Sequence, residues 1–132
     1  VADRKAARQA LKALMETVTT FVVVYGSEVF DFQRQSPVCM IHGDGSAPAP
    51  STTLGSDQRQ HAYIISLWWR RAETTEDDID DLSAEVFDVL EANGGPANDW
   101  AALTIDENFS QLDYPILDGV MYRRERIRVI IW

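Results

Sequence analysis

The sequence is poor in the residues from which small proteins usually build reactive sites. Its 132 residues include one cysteine, Cys39, and two histidines, His42 and His61. A single cysteine excludes an internal disulfide and a zinc site built on thiolates. It sits among apolar neighbours in a predicted strand, so it reads as a packed, inert thiol. His42 and Asp44 stand two apart, but no second His-rich segment completes three or four metal ligands. The Gly-x-Ser-x-Gly elbow of hydrolases is missing. Gly43-x-Gly45 lacks a third glycine and runs into proline instead of a helix, so it is no phosphate loop. Ser46, His61 and Asp57 form a trio of the kind any chain of this size offers. The longest apolar run, Phe21-Val22-Val23-Val24-Tyr25, is strand-sized and far short of the roughly 20 residues of a membrane span.

Positive charge is also scarce. Twelve Lys and Arg oppose 21 Asp and Glu, a net charge of −9. That balance repels a phosphate backbone and argues against a nucleic-acid binder unless a local basic strip overrides it. Forty-five per cent hydrophobic and 25% charged residues are ordinary for a globular chain. At about 150 residues per domain, one domain over residues 1–132 is expected. The opening Val1-Ala2-Asp3-Arg4 has no charged lead into an apolar stretch and does not read as a signal peptide. With an unpaired cysteine, it implies synthesis in a cytoplasm.

Residues 3–16 predict a helix, rich in good helix formers, with Ala7, Ala10, Leu11, Leu14 and Val18 on one stripe and Lys5, Arg8 and Lys12 on another face. Residues 17–25 are β-branched and aromatic and predict a strand covered on both sides. A second strand is expected over 37–42. The Pro/Ala-rich stretch from Gly43 to Ser56 is a long loop, and such loops are usually functional or disordered. The third strand, 58–71, places Tyr63, Ile65, Leu67 and Trp69 on one face and Ala62, Ile64, Ser66 and Trp68 on the other. This implies core on one side and a subunit contact on the other. Residues 75–93 predict a helix opened by threonines and acids and stopped at Asn93-Gly94-Gly95-Pro96. Ile79, Leu82, Val86, Val89 and Leu90 form its apolar stripe. Residues 100–109 and 119–132 predict two more strands, with turn formers over 112–118. The fold class that follows is α+β: a mainly antiparallel sheet of about five strands with two helices on one face.

Two charged features stand out. Arg124, Arg126 and Arg128 share a face of the last strand and would repel one another unless acids lie opposite. Acids of a neighbouring strand or a neighbouring subunit are the expected partners. Asp77, Asp81 and Asp88 lie on the wet side of the second helix, together with Asp80, Glu85 and Glu91.

In this order of elements the chain resembles the tail terminator, or tail completion, proteins of tailed bacteriophages. The resemblance rests on the Ala/Leu helix, on Ser36-Pro37-Val38-Cys39-Met40-Ile41-His42-Gly43-Asp44-Gly45-Ser46, on Tyr63-Ile64-Ile65 followed by the acid-led helix, and on Trp100-x-x-Leu103 and Gly119-Val120-x-Tyr122-Arg123-Arg124. The Pro/Ala-rich loop and Trp132 depart from it. The resemblance implies a homo-hexameric ring that caps the head-proximal end of the tail tube, ends its growth and joins the neck or connector, with sheath or tape-measure protein as further neighbours. It also implies no catalytic residue, metal or cofactor, DNA only as passing cargo, no membrane, and a place in the virion tail or neck after synthesis in the host cytoplasm. Arg124, Arg126 and Arg128 against Asp77, Asp81 and Asp88 are the expected subunit interface. Asp44, Ser46, Pro48, Pro50 and Thr53 are the expected contact loop for tube or connector. The alternatives are another neck or tube component, a small ligand-binding α+β domain, which needs a deep pocket of convergent polar groups, and a nucleic-acid module built on the arginine strand.

Overall fold

The computed structural model describes residues 4–48, 59–72, 75–95, 100, 102–107, 109 and 111–132. Its elements in chain order are α1 (Arg4–Glu16), β1 (Val23–Tyr25), β2 (Val38–Pro48), β3 (Arg59–Arg70), α2 (Thr75–Ala92), β4 (Leu103–Ile105), β5 (Gln111–Asp113), β6 (Ile116–Leu117) and β7 (Val120–Ile131). The strands form one mixed sheet in the order β1-β2-β3-β7, with β4, β5 and β6 in succession along the far edge of β7. Only β1 with β2 is parallel; every other pairing is antiparallel.

The α+β class holds, but the sheet has seven strands instead of about five. The additional strands lie where turn formers predominate. β5 and β6 are three and two residues long, too short to show an alternating pattern. They exist because β7 offers twelve residues of edge that need hydrogen-bonding partners. Asp118 and Gly119, with φ of 50° and 75°, close the β6–β7 hairpin in the left-handed region.

Two further differences have local causes. The strand expected over 17–25 shrinks to β1, which lies at the sheet edge, with Val24 in the helix-side core and Val23 and Tyr25 packed on the other face. Its first half continues the end of α1 as tight turns: Thr17 N–H donates to Leu14 O, Val18 N–H to Met15 O and Phe21 N–H to Val18 O. The Thr17 hydroxyl also donates to Leu14 O at 2.6 Å. Val18 and Phe21 spend their apolar surface under α1 and not in a ladder. Conversely, β2 does not stop at His42. It runs on to Pro48 because β3 is long enough to pair with it, through a bulge in which Asp44 and Gly45 stand opposite the single Ala62. Gly45 takes φ +105°, which a side chain would strain. Residues 49–56 of the expected loop lie outside the described residues.

Both helices cover the same face. Ala7, Leu11, Leu14 and Met15 of α1 and Leu82, Val86 and Leu90 of α2 pack on Cys39, Ile41, Tyr63, Ile65, Leu67, Ile127, Val129 and Ile131. The alternation expected in β3 and β7 puts these sheet residues on one side. Tyr63 reaches through the layer and its hydroxyl donates to Arg4 O at 2.6 Å. Burial pushes the Cys39 thiol up, which keeps it protonated and unreactive. Glu125, also on this side, accepts from Ser83 Oγ of α2 at 3.1 Å. Burial raises its carboxyl above the usual value, against the lowering effect of that hydrogen bond and of Arg123.

The other face carries a second cluster: Phe32, Val38, Met40, Trp68 and Tyr122. Trp68 meets Phe32 and Tyr122 edge-on, with centroids 4.9 and 5.7 Å away. Sequence alternation predicts core on one face of β3 and a subunit contact on the other, yet Trp68, on the face away from the helices, is 4% exposed within one chain. The segment before β2 folds over it, which the strand's own pattern does not reveal. Trp69 is half-buried against the helix-side core.

Candidate functional site

The arginine strand lies on the face away from the helices. Register places Arg124 beside Trp68, Arg126 beside Ser66 and Arg128 beside Ile64. Each guanidinium then turns to groups on adjacent strands. Arg124 grips Asp113 of β5 through two hydrogen bonds, one from Nε at 2.8 Å and one from Nη2, and its guanidinium lies 4.9 Å from the Trp68 ring centroid. This clamp, chiefly its hydrogen bond, holds the Asp113 carboxyl below the usual range. Arg126 donates to Gln111 of β5 and stands 4.0 Å from Asp113. Arg128 crosses over β3: its Nε donates to Asp44 in the β2 bulge at 2.8 Å and its Nη1 to Asp106, just past β4, at 2.8 Å. The bulge therefore serves to aim Asp44 at this cation.

Beside the segment that covers Trp68, the arginine stems act as a second layer on this face. On this face β3 exposes 7% of Ala62, 4% of Ile64, 1% of Ser66 and 4% of Trp68, although no helix covers it. The aliphatic part of a long side chain can shield apolar surface while its head stays wet. Three cations matched by Asp113, Asp44 and Asp106 leave a nearly neutral face. That is a poor surface for a phosphate backbone. Arg123, next in sequence, projects to the opposite side, where it is buried beside Glu76 of α2.

The remaining singled-out residues fall in two places. Asp77, Asp81 and Asp88 are exposed on α2, spaced so that they share one ridge pointing away from the sheet. The structure does not bring them near Arg124, Arg126 and Arg128 within one chain, because α2 and the arginines lie on opposite faces. Asp44 and Ser46 border a shallow depression of about 220 Å³ with Gly45, Gln60, Ala62 and Arg128. Ser46 Oγ lies 2.7 Å from His61 Nδ1 across the ladder. Pro48 ends β2, while Pro50, Thr53 and Asp57 lie outside the described residues. Among the described residues no group of three or more His, Cys, Asp or Glu is placed to hold a metal ion, and no helix is long and apolar enough to cross a membrane.

Asp106, Gln111 and Asp113 are the partners that sequence reasoning missed. Each is an ordinary polar residue in a turn-like segment. The only available signal was the demand for acids opposite three arginines, which says that partners exist but not which ones.

No family model and no curated protein matches this chain.

Proposed function

We propose that this chain is a structural subunit of a phage tail: a terminator that forms a ring, usually of six copies, on the head-proximal end of the tail tube and offers its other side to the neck or connector. The observation that carries the proposal is the arrangement of elements. An N-terminal helix, three long neighbouring antiparallel strands (β2, β3, β7) and an acid-led helix between β3 and the C-terminal strands follow the order on which the resemblance rests. The helices share one face, which leaves the opposite face of the sheet without a helix layer.

Charge pairing of Arg124, Arg126 and Arg128 with a neighbour's Asp77, Asp81 and Asp88 has to compete with the groups of their own chain that the arginines already hold. The acidic ridge stands open to a cationic partner. The nearly neutral arginine face supports the structural reading over a nucleic-acid module.

The direct test is tube capping. Purified chain added to polymerising tail-tube protein is expected to give short tubes with one ring-capped end in electron micrographs. Unchanged tube length and bare ends would refute the proposal, and unlimited co-filaments would assign the chain to the tube instead.

A further inference from the structure

The two lateral edges of the sheet are unlike, and they match. At the β1 edge, on the helix side, a groove of about 380 Å³ is lined by Val18, Phe21, Val22, Val24, Lys12 and Glu16, with Val22 56% exposed. Lys12 leans over Gly26 at the end of β1 and is paired with Glu16 at 3.1 Å. Lys5 and Arg8 share that flank of α1 by their i, i+3 and i+4 spacing. Over its whole length α1 carries four cations and one acid.

At the opposite edge the β6–β7 hairpin forms an apolar ridge on the same helix side. Ile116 faces Met121 across the hairpin, and Leu112 and Tyr114 continue the ridge, with the Arg71 guanidinium resting against Met121 Sδ and the Tyr114 ring. These four are 65, 40, 48 and 46% exposed. The flank of α2 beside this ridge is acidic. Glu76 accepts a hydrogen bond from Tyr114 Oη, and Asp80 lies one turn on. α2 carries eight acids and no base.

We infer that copies of this chain associate head to tail through these edges, the hairpin ridge of one copy seating in the β1 groove of the next, with acidic α2 beside basic α1. Phe30 apart, the exposed large apolar side chains lie at two separate and different places, which makes a self-complementary two-fold contact a poor fit and a heterologous contact a good one. Both lie on the helix side of opposite edges, so each added copy presents a fresh groove or ridge. Opposite charge beside the apolar contact sets register and rejects groove against groove or ridge against ridge.

The inference deepens the ring reading, and it is tested without any tail component. Light scattering of the whole chain at about 100 µM, where a contact with a Kd of about 10 µM is mostly filled, is expected to give a mass of several copies. Val22→Glu spoils the groove and Ile116→Glu spoils the ridge. Both positions are exposed, so neither change touches the core. Each variant is expected to lose association at least about 10-fold. Because each keeps one good edge, an equimolar mixture is expected to form pairs of twice the 14.9 kDa chain mass and go no further. Restored pairing in the mixture is the signature of a two-sided contact that a folding defect does not produce. A wild-type chain that stays monomeric, or variants that fail to pair when mixed, would overturn the inference. Closed rings that survive both substitutions would overturn the edge assignment and leave the ring reading standing. A monomer that still caps tail tubes would overturn self-association through these edges and leave the tail reading intact.

Discussion

Arg128 is the side chain that ties the most distant parts of the sheet together, so its removal tests whether that tie stabilises the fold. It links the β2 bulge to the end of β4 across β3, and the Asp44 partner is 84 residues away in sequence. Arg128→Met keeps the stem over Ile64 and removes only the guanidinium. Hydrogen bonds to charged groups contribute about 1.5–3 kcal/mol when shielded, and exposed ion pairs about 0–1 kcal/mol. The Asp44 side chain is 44% exposed and Asp106 22% exposed, so the first pair is worth about 0.5 kcal/mol and the second about 1 kcal/mol. The expected loss is about 1.5 kcal/mol, or about 6 °C in Tm for a chain of this size. Arg128→Ala also uncovers Ile64 and is expected to cost about 1 kcal/mol more. Urea melts of both variants, with Asp44→Asn alone and combined with Arg128→Met, measure these differences. Coupling between Arg128 and Asp44 is expected to make the double change cost less than the sum. A loss below about 0.5 kcal/mol for Arg128→Met, with Arg128→Ala no worse, would refute the view that this side chain both clamps and covers the sheet.

Three further outcomes follow from the same geometry. The Asp113 carboxyl is held down in the folded chain, so its stabilisation is present above the ordinary carboxylate value and is lost as pH falls through the folded value. Asp113→Asn is expected to lower Tm modestly at pH 7, with the gap narrowing as pH falls; a gap that does not narrow in acid would show that charge is not the cause. Glu125 has the opposite sign: its folded value is raised, so stability is full below the unfolded value and falls as pH rises through the folded one. Glu125→Gln keeps an acceptor for Ser83 and is expected to raise Tm at pH 7 and leave it unchanged in acid, and a lower Tm at pH 7 would contradict this. Cys39 is fully buried, so a thiol reagent is expected to label it only at the rate of unfolding, and prompt labelling of the native chain would place it at a surface.

The parts of this fold that could be read from the sequence are those whose signal is local. α2 shows its acids at the start and its Asn-Gly-Gly-Pro stop, and it runs where those signals put it. β3 and β7 are twelve residues each, long enough for alternation to separate the helix face from the arginine face. The same alternation showed that Arg124, Arg126 and Arg128 would be neighbours in need of acids. What lay beyond reach was the pairing between segments far apart in the chain. β1 is a short edge strand because Val18 and Phe21 are drawn under α1, and β2 runs past His42 because β3 continues beside it. Asp106 and Asp113 became the arginines' partners through the register of β7 with β4 and β5, and Asp44 through the β2 bulge across β3. Backbone geometry imposes its two- and 3.6-residue periods on the local sequence, so the faces of each long element were determined there. Register and edge are set by which distant strands meet, and that was decided only when the whole sheet closed its hydrogen bonds and buried its core.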